Sequence, residues 1–297
     1  MGGGNWTRDS FAKYSNSVGR GVTAQGMVVG NYSAQEMFTS RKLDKALDPY
    51  KVIRECCDSE EHPETIPVIL ALDVTGSMGS TAVEVAKKLN ILMTNLYGKV
   101  KDIEFMIMGI GDLAYDWSPV QASQFESDIR IAEQLDKIWF EGHGGGNGFE
   151  SYSAAWYFGL KHTKLDCWNR GKKGIIITMG DEMLNPYLPL SGRHCGLSAV
   201  FGGNFEDDIE TKALYAKASE KFDIYHIDVQ HGHRWDDDKS IQNSFVSVIP
   251  EDHFVHSNVD DVVNAITDII MKATSENAIP TVATTVAGVN EKGEISW

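Results

Sequence analysis

The chain is poor in cysteine and in basic residues, and it has no long apolar run. Its 297 residues include only four cysteines, Cys56, Cys57, Cys167 and Cys195. They form no Cys-x-x-Cys pair, which excludes a zinc ribbon and a thioredoxin-type redox motif. The adjacent Cys56 and Cys57 leave a strained vicinal disulfide open, and a reduced pair is the plainer reading. Lys and Arg number 27 against 42 Asp and Glu, a formal net charge of −15. A surface this acidic repels a phosphate backbone, which argues against nucleic acid as a partner, and it gathers divalent cations. No apolar stretch approaches the roughly 20 residues of a membrane-spanning helix. Residues Met1 to Trp6 lack the basic start and apolar middle of a secretory signal, and Trp6 stands where myristoylation wants Ser or Thr. The chain is therefore expected to be soluble and cytoplasmic. What it has in quantity is apolar residue, 42% of the total, enough for a full core.

Periodicity divides the chain into three parts. Residues 1–60 read as an N-terminal arm, irregular, with short helices flanking Pro49. Residues 61–275 read as one α/β domain entered through the polar stretch from Cys57 to Pro67. Residues 276–297 read as a flexible tail of small and polar residues. Within the domain, buried strands are expected at Val68–Leu72, Ile103–Ile110, Gly174–Thr178 and Ile224–Val229. Helices are expected over Ser80–Tyr97, Gln124–Trp139, Glu150–His162, Asp207–Phe222 and Val259–Ala273. Strands that alternate with helices imply a doubly wound, mostly parallel sheet with helices on both faces, a Rossmann-like arrangement.

One turn carries more chemistry than the rest. The run Val68 to Leu72 ends in Asp73, and Thr75 and Ser77 follow at alternate positions. The turn after a parallel strand opens at the carboxyl edge of the sheet, where α/β proteins place their ligands. One carboxylate and two hydroxyls are hard oxygen donors of low total charge, which suits Mg²⁺ or Mn²⁺. The same residues also serve as simple helix caps in many proteins. Two further loops are expected at the same edge. One is the glycine loop that ends Gly146-Asn147-Gly148, and the other is Thr178-Met179-Gly180-Asp181-Glu182.

Asp-x-Thr-x-Ser in a strand–turn–helix context resembles the first motif of the metal-ion-dependent adhesion site of von Willebrand factor type A domains. The resemblance covers about residues 66–275. It implies that Thr75 and Ser77 bind the ion directly and that Asp73 acts through water. Asn147 takes the place of the Asp in the Gly-Gly-Asp-x-x-Glu pattern of one subgroup, here Gly145-Gly-Asn-Gly-Phe-Glu150. Asp181 takes the place of the acid after the central strand, displaced by two residues from the common Thr-Asp-Gly. From the residues alone, Asn147 reads equally as a turn former and Asp181 as a helix cap. The resemblance implies a non-catalytic module in which an under-neutralised Mg²⁺ takes an Asp or Glu side chain from a partner protein, alone or within a multi-protein complex.

Two rivals belong to other classes. One is a metal-independent assembly scaffold with the same fold. The other is a serine hydrolase built on His143 and Ser198, which lacks the Gly-x-Ser-x-Gly elbow. His231 and His233 also allow a zinc reading, with no third ligand fixed by sequence.

Overall fold

The computed structural model of the chain describes residues 4–142, 147–230 and 238–277. The expectations for 143–146, 231–237 and 278–297 lie outside the described residues, and with them His143, His231, His233 and most of the expected tail. Six strands form the central sheet: β1 (Ile66–Asp73), β2 (Ile103–Ile110), β3 (Val120–Ala122), β4 (Gly174–Gly180), β5 (Phe222–Gln230) and β6 (Phe254–Asn258). Their spatial order is β3-β2-β1-β4-β5-β6, and only β3 runs antiparallel to its neighbour. The helices in chain order are α1 (Arg8–Ser17), α2 (Ala34–Met37), α3 (Gly79–Tyr97), α4 (Arg130–Leu135), α5 (Ser153–Lys161), α6 (Leu197–Phe201), α7 (Thr211–Ala218), α8 (Asp238–Val246) and α9 (Val262–Asn277).

The strands are near-continuous apolar runs because helices cover both faces of the sheet. Side chains alternate across it. Val68, Leu70 and Leu72 of β1 join the core beneath α3, α4 and α9, whereas Ile69 and Ala71 join the core beneath α5, α6, α7 and α8. The chain builds outward from β1 through β2 to β3, then returns to place β4 on the other side of β1. That reversal opens a crevice at the carboxyl ends of β1 and β4. The fold class is therefore the doubly wound, mostly parallel α/β sheet that the sequence implied. Among the described residues no helix is long and apolar enough to cross a membrane.

Several elements differ from the pattern-based expectation. The segment before residue 60 packs against α3. Trp6, Phe11, Val28, Met37, Phe38 and Leu47 are buried in the same core as the inner face of the sheet. Trp6 Nε1 donates to Asn90 Oδ1 at 3.0 Å, and Arg20 pairs with Asp136 at 2.8 Å. These anchors are too widely spaced to produce a period, so composition alone gave an irregular arm. The helix expected over Gln124–Trp139 shrinks to α4, because Glu126 and Phe105 exchange backbone hydrogen bonds at 2.8 and 3.0 Å and hold the chain extended. In place of a second short helix after Pro49, Arg54–Cys56 forms a strand parallel to Thr163–Leu165. All four cysteines are free thiols.

Candidate metal centre

β1 delivers Asp73 to the crevice fully buried. Its carboxylate organises the turn that follows. Thr75 donates to Asp73 Oδ1 twice, from its backbone N–H at 2.8 Å and from Oγ1 at 2.6 Å. Tyr152 OH donates to Oδ2 at 2.8 Å. Three donors therefore occupy Asp73, which fixes the Thr75 hydroxyl in place and leaves Asp73 a holding role. Thr75 Oγ1 lies 3.5 Å from Ser77 Oγ, and Ser77 Oγ donates to Asp181 Oδ1 at 3.0 Å. Asp181 arrives from the neighbouring strand β4, 104 positions further along the chain.

Two glycines permit this approach. A Cβ on Gly180 would collide with the Tyr152 ring, so glycine there lets Tyr152 reach Asp73. A Cβ on Gly76, between the two hydroxyls, would meet the Gly142 carbonyl oxygen at 3.1 Å.

Of the five residues singled out from the sequence, Asp73, Thr75, Ser77 and Asp181 form one hydrogen-bonded string. Asn147 stands beside that string in a separate network. Its Nδ2 donates to Asp112 Oδ2 at 2.8 Å, and its Oδ1 accepts from Phe149 N at 3.3 Å. Ser151 Oγ supports the same Asp112 at 3.3 Å. Asn147 thus ties the loop before α5 to the end of β2.

The site has members that sequence reasoning missed. Tyr152 gave no signal, since one buried tyrosine resembles any other. Asp112 follows β2 much as Asp73 ends β1, and an acid after a buried strand was a signal available to be read. Glu150 closes the glycine-loop pattern. It is 1% exposed, and its Oε2 has no hydrogen-bond partner among the described residues. The short parallel pairing of Phe149–Glu150 with Met183–Leu184 sets it beside the loop after Asp181.

Electrostatically this is a concentration of buried acid. Burial, then the nearby Asp181, raises the Asp73 carboxyl well above the usual range. Burial, then Asp73, does the same to Glu150. Burial raises Asp112 and pushes Asp116 up to about 7. Among the described residues no Lys or Arg pairs with Asp73, Asp112, Asp116 or Glu150. Such a cluster favours a cation or a proton. No three His, Cys, Asp or Glu side chains among the described residues form a ready cation cage, so a metal would depend on the hydroxyls.

The hydrolase reading finds no support at Ser198. That residue is exposed on the five-residue α6 and forms no hydrogen bond to a histidine among the described residues.

No family model and no curated protein matches the chain. Solved structures do. The vWF domain of the type V pili tip protein Mfa5 from Porphyromonas gingivalis is 12% identical, with a TM-score of 0.48, over 73% of this chain and 98% of that one. The pilus adhesin SpaC from Lactobacillus rhamnosus GG is 15% identical with a TM-score of 0.46, over 73% of this chain and only 30% of the adhesin. Proximal thread matrix protein 1 from the mussel byssus is 11% identical with a TM-score of 0.46, over 72% of this chain and 49% of that one. At these identities and scores none of the three transfers a role to this chain.

Proposed function

We propose that this chain is a non-catalytic protein-binding module whose partner contact depends on a divalent cation, Mg²⁺ or Mn²⁺, held by Thr75, Ser77 and Asp181 with Asp73 behind them. The observation that carries this reading is the spacing of oxygens across the β1–β4 crevice. Adjacent ligands of an octahedral Mg²⁺ with bonds of 2.0–2.1 Å lie about 3 Å apart. Ser77 Oγ and Asp181 Oδ1 are 3.0 Å apart, and Thr75 Oγ1 and Ser77 Oγ are 3.5 Å apart. The donor set and its spacing fit the ion. When bound, the ion supplies a coordination position open to a carboxylate from outside. The chain's own residues do the rest: Asp73 fixes Thr75, Tyr152 fixes Asp73, and the buried acids around them favour positive charge. Asn147 joins this site only if its amide leaves Asp112.

That same Asn147–Asp112 bond favours a second reading, in which the loops hold one another and the fold acts as a metal-independent scaffold. One experiment separates the two. Thermal unfolding of the full chain is followed in chelator and in rising Mg²⁺ or Mn²⁺, for wild type and Ser77→Ala. A ligand at one hundred times its Kd stabilises the native state by about 2.7 kcal/mol. For a chain of this size, at about 2.1 cal/mol/K per residue, that raises Tm by about 4–5 °C. The wild type is expected to show this shift and Ser77→Ala to lose most of it. Equal melting of wild type with and without millimolar metal would refute the cation reading and leave the scaffold.

A further inference from the structure

The two edges of the central sheet are treated differently. β3 is fully buried and covered: Ala122 N donates to Leu47 O at 2.8 Å, and the Arg54 guanidinium donates to Ala122 O at 2.9 Å. β6 pairs with β5 alone among the described residues. Its sequence, Phe-Val-His-Ser-Asn, contains no Lys or Pro, the residues that usually guard an open edge. Beside it, a groove of about 430 Å³ runs between β6 and α9. Val255, Ala265 and Ile269 contribute apolar surface to this groove. Asp252, Asp261 and Asp268 contribute the charge. Lys272 answers Asp252 at 2.8 Å. Among the described residues the Asp261 carboxylate accepts from the neutral amides of Asn258 and Asn264 and meets no cation. Asp268 has no hydrogen-bond or ion-pair partner among the described residues.

We propose that the outer edge of β6 and this acidic groove dock an extended, basic segment of a partner protein, added to the sheet as a further strand. Strand addition draws affinity from main-chain hydrogen bonds and selectivity from alternate side chains. Asp261 directly precedes α9 and Asp268 lies on it seven positions later, about 10 Å along the axis. Side chains on one face of a strand recur every 7 Å or so, and Lys or Arg two to four residues apart therefore reach both carboxylates. Charge decides among the occupants. A second copy of β6 would set like charges against one another. Residues 278–297 of this chain carry Glu291, Lys292 and Glu294, an excess of acid. A basic partner complements the groove.

The test uses full-length protein and a fluorescein-labelled peptide, Lys-Thr-Val-Thr-Lys-Thr-Val, read by anisotropy. Wild type is expected to bind it, and the Asp261→Lys/Asp268→Lys variant to bind it at least about fivefold more weakly. A distant reversal, Glu206→Lys/Asp207→Lys, is expected to leave binding within twofold, and thermal melting confirms that both variants fold. The same peptide N-methylated at every residue after the first, so that neither edge can donate, is expected not to bind. Equal weakening by the two reversals, or undiminished binding of the N-methylated peptide, would reduce the effect to general attraction and overturn the proposal. Hydrogen exchange adds a second readout. Outward amides of Phe254–Asn258 are expected to exchange fast in the free chain and slow with peptide; protection already present in the free chain means that the chain covers its own edge, which also overturns it.

Discussion

Tyr152→Phe removes one hydroxyl and little else, and its cost reports on how Asp73 is held. The ring is fully buried, with centroids 4.9 Å from His226 and 5.6 Å from Phe245, so phenylalanine keeps the packing. What goes is the 2.8 Å bond to Asp73 Oδ2, together with an acceptor 3.4 Å from Glu182 N. A hydrogen bond to a neutral group contributes about 1 kcal/mol, and one to a charged group about 1.5–3 kcal/mol. The protonation of Asp73 selects between them. Burial and Asp181 raise its pKa, while the Tyr152 hydroxyl favours the ionised form and lowers it. Loss of the hydroxyl therefore raises the folded-state pKa further. With the proton on, in acid, the lost bond is the neutral kind. As pH rises and Asp73 ionises, the lost bond becomes the charged kind. The penalty must therefore grow with pH, from about 1 to about 2–3 kcal/mol. Urea denaturation in chelator at pH 5 and pH 9 measures it. A penalty below about 0.5 kcal/mol at both values, or one larger in acid, would show that Tyr152 does not support a buried carboxylate.

Asp116→Asn should stabilise the protein in alkali. Burial pushes the Asp116 carboxyl up to about 7, so the folded state holds its proton more tightly than the unfolded state, and the wild type loses stability as pH rises toward and through 7. Asparagine keeps an acceptor for Asp112 N and cannot ionise, so its advantage over wild type should grow by about 2–3 kcal/mol between pH 5 and pH 8.5; a pH-independent difference in urea midpoints would contradict this. Phe38→Ala tests whether the first sixty residues belong to the core. Phe38 is fully buried and stacks on Phe140 at 5.2 Å, so the truncation should cost about 3–5 kcal/mol in chemical denaturation, and a cost below 1 kcal/mol would mean that this segment is dispensable.

The candidate site was legible in proportion to how local it is. Asp73, Thr75 and Ser77 sit on one turn after an unmistakable strand, and their mutual geometry follows from backbone spacing alone. Asp181 was readable as an acid just past the central strand, though only topology makes β4 the neighbour of β1. Asn147 reads equally from sequence as a turn former and as a ligand; its contact with Asp112, a partner 35 residues earlier, belongs to the tertiary structure. Tyr152 was invisible, because its meaning lies in a contact across 79 positions.

The sequence by itself determined the fold class. Short continuous apolar runs near Val68, Phe105, Ile175 and His226, alternating with longer helical stripes, fit a sheet covered on both faces, and the helices between them supply the cover. It also determined the chemistry of the first loop, since donor types and spacing are local properties. Tertiary structure alone decided that the segment before residue 60 joins the core, that β6 pairs with β5 alone among the described residues, and that acids from several loops share one buried crevice. Local sequence fixes the period of a segment, whereas pairing, burial of isolated anchors and the pKa of a carboxyl depend on what distant parts of the chain bring beside it.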